Sequence, residues 1–253
     1  MCLKKQKYDL IFSLGAACSC TQILRRSNLQ LSSYPLDWLF GSDFLGRVDI
    51  LCNNFARFLN QEDLEYVFSV RSISCDAYHN KFNDLIFNHD FPANVDIKES
   101  YNEVHEKYGR RIRRLLKNIQ SAEKILIAYI ESPDMQNHLN DTDLLKGVQK
   151  IRDKYASKQV DFIFIISDMA MKPKTYEKKI FCDGVKKITG NYGRNKEGKP
   201  AWAINTRLVT SFFKKYRLNM PWQLRLKRGL AKMCIRLCPV KDIKIKIRKK
   251  YHV

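Results

Sequence analysis

The sequence is short of acid. It carries 46 Lys or Arg against 26 Asp or Glu, a net charge of +20. Such a surface draws nucleic acid, anionic lipid or acidic substrates. No apolar stretch approaches the ~18 residues of a bilayer span. The opening, Met1-Cys2-Leu3-Lys4-Lys5-Gln6-Lys7, lacks the apolar core of a secretory signal and runs straight into a strand-like segment. The cysteines at 2, 18, 20, 52, 75, 182, 234 and 238 are scattered. We therefore expect reduced thiols in a cytoplasm. Cys18-x-Cys20 and Cys234-xxx-Cys238 lack the paired spacing of a zinc site. Also missing are a GxxxxGK[ST] phosphate loop, a GxGxxG turn, a Gly-x-Ser-x-Gly elbow, a catalytic carboxylate pair and any internal repeat. These absences exclude the familiar nucleotide and serine-hydrolase signatures, and neither metal nor cofactor is predicted.

What is present suits a folded domain. The chain has 253 residues, 45% of them hydrophobic, enough for a core without disulfides or metals. Apolar runs at 8–13, 124–130 and 160–166 predict buried strands, and 180–188 predicts a fourth. Tyr101, Val104, His105, Tyr108, Ile112, Leu115, Leu116 and Ile119 keep the 3–4 spacing of a buried helical face. Further helices are predicted over 16–26, 44–58, 141–155 and 201–216, with 62–68 continuing the layer of the second. Asn140 or Asp141 caps the third. A loop is predicted over 190–200. Alternating strands and helices predict an α/β fold: a layered sheet with parallel βαβ units flanked by helices. The expected domains are 1–216 and a basic helical appendage, 217–253.

Two short motifs carry the candidate chemistry. In Ser13-Leu14-Gly15-Ala16-Ala17-Cys18, a cysteine opens a helix after a strand and a glycine turn. Helix N–H groups there stabilise a thiolate and can hold an oxyanion. The alternative is a small buried cysteine packing helix on sheet. In Asn88-His89-Asp90-Phe91, a histidine at a strand end can act as base toward a thiol; the alternative is a local bond to Asp90 or to backbone. Asp37, in Pro35-Leu36-Asp37-Trp38, is either a structural turn or an acid held near a site. Asp168, after a strand end, competes with it for an orienting role. Ser13, Gly15, Trp38 and Asp90 are candidate substrate contacts. Asp141-Thr142-Asp143 has the Asp-x-Asp form of a metal–nucleotide site, but helix capping explains it more simply.

Several of these blocks recur in order in a known family. Tyr8 to Gly15 through Cys18, then Leu24-Arg25-Arg26, Leu29 and Ser33 to Trp38, resemble the opening of the bacterial and viral family of papain-like cysteine peptidases, a domain of unknown function. His89-Asp90-Phe91, with Tyr108 and Arg110-Arg111 following, is similar to its second block. The resemblance covers about residues 8–130. Leu36 stands where the family more often has Phe, and Gln30 where Arg is common. The resemblance implies Cys18 as nucleophile and His89 as base. It also implies a setting in cell-surface polysaccharide metabolism. A papain layout pairs a helix with a barrel-like half, whereas the periodicity here predicts a parallel sheet.

The charge excess is mainly in the tail. Lys214 to Val253 holds 14 Lys or Arg and one acid, Asp242. Trp222, Leu226, Leu230, Met233 and Leu237 share one helical face, with Arg225, Lys227, Arg228, Lys232 and Arg236 on the flanks and back. This predicts a helix in an anionic membrane interface on the cytoplasmic side; the alternative is a helix packed on the domain with a solvated basic face. Pro239 ends it, and Ile243, Ile245 and Ile247 alternate with cations as in an extended segment. Nucleic acid is not expected, because the aromatics do not interleave with basic residues. The expected function is hydrolysis or acyl transfer by a Cys18/His89 pair on a peptide, acyl or saccharide group. The alternatives are a glycosyltransferase or other polysaccharide-modifying transferase, and a non-catalytic membrane-associated binding protein.

Overall fold

The computed structural model describes residues 5–131, 138–194, 196, 198 and 207–251. Part of the expected loop at 190–200, and the first six residues of the expected helix at 201–216, lie outside the described residues.

The central sheet has five strands: β2 (Leu10–Ser13), β7 (Lys124–Ile130), β8 (Gln159–Ser167), β10 (Val185–Gly190) and β9 (Tyr176–Cys182). Their spatial order is β2-β7-β8-β10-β9. The first four run parallel, and β9 returns antiparallel to β10. Strands covered on both faces read as continuous apolar runs, and from Val160 to Ile166 of β8 all seven residues are buried, six of them apolar or aromatic and one Asp161. This is the α/β sheet that the alternation predicts, except that the single strand expected over 180–188 is a hairpin: β9 ends at Cys182, Gly184 turns the chain at positive φ, and β10 starts at Val185. Helices cover both faces. α1 (Cys18–Arg26) and α5 (Arg207–Phe212) pack on one, through Cys20, Ile23, Leu24, Val209 and Phe212. α2 (Phe44–Cys52), α3 (Ile97–Ser121) and α4 (Asp141–Lys154) pack in the cluster on the other.

A second, antiparallel sheet is inserted between α1 and β7. Its order is β3 (Phe40–Gly41), β6 (Leu85–Pro92), β5 (Cys75–Asn80) and β4 (Leu64–Val70). The 62–68 segment is therefore strand, not helix. The expected helix over 44–58 stops at Cys52, because Asn54, Phe55 and Arg57 all take positive φ, which helices do not tolerate. Near the chain ends, β1 (Gln6–Tyr8) pairs in parallel with β11 (Tyr216–Leu218). The helix expected up to residue 216 thus gives way to a turn and a strand. α6 (Trp222–Leu237) forms as its periodicity predicts, and α7 (Lys241–Tyr251) follows it. The segment expected to be extended is helical: isoleucines at 243 and 247 share a helical face, and Asp242 sits in the first turn. No described helix is long and apolar enough to cross a membrane.

Candidate active site

The turn that delivers Cys18 is built by small residues. After β2, the Ser13 hydroxyl accepts the Gly15 N–H at 3.0 Å, and Ala16 N–H donates to Ile130 O of β7 at 3.1 Å. A Cβ on Gly15 would collide with Cβ of Cys20 and crowd the Ile130 amide. Gly15 is thus needed for close approach of turn, helix and strand. Ser13 is buried and shapes the turn. The N-cap, Ala17, has an extended backbone and no side chain to accept a hydrogen bond. The first-turn N–H groups of α1 therefore have no side-chain cap.

Cys18 occupies the first helical position and is half-buried. Among the described residues its side-chain partner is Gln22, whose Nε2 donates to Sγ at 3.7 Å. Burial pushes the thiol above its ordinary value of 9.0; its own backbone N–H works in the opposite, lowering direction and is the smaller influence. The helix start thus does not by itself hold a thiolate, and the site needs a group to take the proton. Cys20 is fully buried, and its thiol is pushed up to about 12. It packs the helix on the sheet and donates to Ala128 O at 3.5 Å.

Arg47 ties this turn to the second sheet. Its guanidinium is fully buried and donates to the carbonyls of Gly15, Leu36, Leu39, Gly41 and Ser42 at 2.7–3.4 Å. Burial lowers it to about 10, so it stays cationic at neutral pH. Gly41 pairs with Leu85, the first residue of β6. One side chain thereby ties the Cys18 turn to the β3 edge of the sheet that carries His89.

His89 sits in a bulge. Asp76 pairs with Phe91 and Tyr78 with Phe87, so two steps on β5 match four on β6. Asn88, His89 and Asp90 together oppose Ala77. Bulges re-aim side chains out of strand alternation. Phe87 and Phe91 stay in the core, whereas His89 between them is exposed. Asp90 is held from α3, accepting Tyr108 Oη at 2.8 Å and Lys107 Nζ at 2.7 Å. Among the described residues no hydrogen bond joins Cys18 to His89.

The other expected carboxylates are engaged elsewhere. Asp37 is fully buried and accepts from Thr21 Oγ1, Gln30 Nε2 and Tyr34 N–H at 2.6–2.9 Å. Burial raises its carboxyl, and those three bonds oppose the rise. Asp168 follows β8, where its Oδ1 accepts the Ala170 N–H at 2.9 Å. Neither bonds to His89. Asp141 holds Lys179 and Lys187 at 2.6 and 2.8 Å, and Asn140 caps α4 by accepting the Asp143 N–H. That absorbs the Asp-x-Asp motif.

Arginines of α1 and α3 meet at the 33–38 loop. Arg25, two turns beyond Cys18, stacks its guanidinium 5.4 Å from the half-buried Trp38 ring and donates to Ser33 Oγ at 2.6 Å. Arg114 of α3 donates to Ser33 O at 3.0 Å. Arg111, one turn earlier, lies 4.9 Å from the Tyr108 ring. Arg25 Nε, Arg111 Nη1 and Asn88 Oδ1 are buried and have no hydrogen-bond partner.

A second histidine lies at the sheet's carboxyl end. Glu131, just beyond the Ile130 carbonyl that holds Ala16, is fully buried. It accepts His138 Nδ1 at 2.8 Å and the Leu139 N–H at 2.7 Å. The sequence signals for these groups are faint. An arginine within the apolar spacing of Phe44, Val48 and Leu51 marks Arg47, and an acid directly after a buried strand marks Glu131.

Residues 9–170 match the family model described as putative papain-like cysteine peptidase (DUF1796). No curated protein and no solved structure matches the chain. The matched span holds the glycine turn, the helix-start thiol, the Arg47 tie and the His89 bulge. With well over half of its length inside that family model, the chain belongs to the putative papain-like cysteine peptidase family.

Proposed function

We propose that the protein is a thiol-dependent hydrolase in which Cys18 Sγ attacks a carbonyl carbon. The carrying observation is the position of Cys18: half-buried, on the first turn of a helix whose N–H groups have no side-chain cap. The Cys18 backbone N–H contributes to the oxyanion hole. His89 takes the thiol proton and returns it to the leaving group, after which water cleaves the acyl-enzyme. Transfer to a saccharide or other acceptor uses the same acyl-enzyme, with the acceptor in place of water.

Glu131–His138 favours a second assignment of the base. That imidazole is already oriented by a buried carboxylate, the arrangement that prepares a histidine for proton transfer. Iodoacetamide labelling of Cys18, followed by peptide mapping, separates the two. Under the first assignment, His89→Ala slows labelling at pH 7 by ~10²-fold or more while His138→Ala does not. The reverse pattern moves the base to His138. Labelling of Cys18 that neither substitution slows, or that is no faster than at exposed Cys182, overturns the thiol mechanism.

A further inference from the structure

α6 is amphipathic in the inverted sense. Its only buried residues are Arg228 and Ala231. Trp222, Leu226, Leu230, Met233 and Leu237 are 67%, 55%, 49%, 52% and 77% exposed. At 100° per residue these five fall within one narrow stripe, opposite the face that carries Arg228. The helix therefore docks on the domain through cations and offers its apolar side outward. Asn28, in the left-handed region at φ 58, provides the dock: its Oδ1 accepts both Arg228 Nη2 at 3.3 Å and Lys232 Nζ at 2.6 Å.

Beneath the helix lies a cleft of about 400 Å³ between α6, the end of α1 and the β1–β11 pair. Lys5, Arg217, Arg225, Arg228 and Lys232 line it, and none of the described residues lining it is acidic. Burial lowers the Lys232 ammonium, and the neighbouring Arg228 and Arg236 add to the drop. The same segment thus joins an outward apolar stripe to an anion-seeking cleft.

We propose that α6 seats the protein on an anionic lipid bilayer, its apolar stripe in the acyl boundary and a lipid phosphate in the Arg217/Arg225/Lys232 cleft. Charge selects this occupant. A second copy would bring the same excess of cations, 14 Lys or Arg against one acid from Lys214 onward, against its own kind. A nucleic acid would satisfy the cations but leave the stripe in water. An anionic bilayer meets both needs. The proposal is independent of the thiol chemistry.

The test is flotation of the full-length protein with vesicles of pure phosphatidylcholine and of phosphatidylcholine with phosphatidylglycerol. Binding is expected to the anionic vesicles, at least tenfold weaker to the neutral ones, and to fall as salt rises. The pair Leu226→Glu and Leu230→Glu abolishes binding to both, with circular dichroism and Cys18 labelling unchanged. The pair Arg225→Gln and Lys232→Gln costs on the order of fivefold per cation toward the anionic vesicles only. Three results overturn the proposal: no preference for anionic vesicles, anionic binding that survives the glutamate pair, or concentration-dependent dimers or RNA binding without vesicle binding.

Discussion

α3 and α6 carry the same kind of sequence pattern and use it in opposite directions. α3 buries Val104, Tyr108, Leu115 and Ile119 and turns its many charges outward. α6 buries Arg228 and turns Trp222, Leu226, Leu230, Met233 and Leu237 outward. Periodicity shows that a helix has an apolar face. It does not show whether that face meets the protein's own core. In α3 the apolar stripe supplies the core, whereas in α6 a charged side chain anchors the helix and the stripe remains available.

Substitutions that grade the two regions can break this contrast. The largest effect is expected at Arg47, the charged anchor of the inner region. Arg47→Ala orphans up to five carbonyls at ~1–3 kcal/mol each and should cost several kcal/mol in urea denaturation. A loss below 1 kcal/mol would remove Arg47 as the tie between the sheets. Next, Leu115→Ala in α3 should cost about 2–5 kcal/mol. Arg228→Ala in α6 should cost about 1–3 kcal/mol through loss of a buried cation and its Asn28 bond. Exposed Arg113→Ala in α3 should stay within about 0.5 kcal/mol. Smallest is Leu230→Ala in α6, also within about 0.5 kcal/mol. If Leu230→Ala matches Leu115→Ala, the α6 stripe is core and the contrast fails.

Acid titration separates the regions in another way. Asp37 has its folded-state carboxyl raised above 3.8 by burial. The folded state then holds this proton more tightly than the unfolded state. Its contribution to stability falls as pH rises from below 3.8 through the folded value. Asp141, lowered by Lys179 and Lys187, acts the opposite way: its stabilisation is present above 3.8 and lost as pH falls. Its side chain is 39% exposed, so solvent screening keeps its share small. Asp37→Asn should therefore make stability climb more steeply with pH above 3.8, and an unchanged slope would refute the raised carboxyl. The tail from Lys214 has one acid, Asp242, so its removal should leave that slope alone.

Much of the architecture was legible. Apolar runs marked β7 and β8 almost to the residue, and 3–4 spacing marked α3 and α6. β4 was not, because Leu64 to Val70 is a partly exposed edge strand whose polarity does not alternate cleanly. The α7 segment alternates Ile with Lys, yet folds as a helix against α6. At the candidate site, the glycine turn and the cysteine that opens α1 were readable from small residues between a strand and a helix, but its half-burial was not. The bulge that exposes His89 was not, since it arises from register against β5. Nor was the buried role of Asp37, whose partners Thr21, Gln30 and Tyr34 meet only after the chain folds back.

The β1–β11 pair has a consequence for the order of synthesis. Its two strands are separated by nearly the whole domain, and the basic cleft is lined by Lys5, just before β1, and by Tyr216 to Leu218 of β11. Chains grow at roughly 5–20 residues per second, so β1 waits on the order of ten seconds or more for its partner. By then the parallel sheet and the Cys18 turn have already left the ribosome. The cleft and the outward stripe of α6 are completed last. A nascent chain cannot present its assembled docking surface before the domain that carries the thiol has been made.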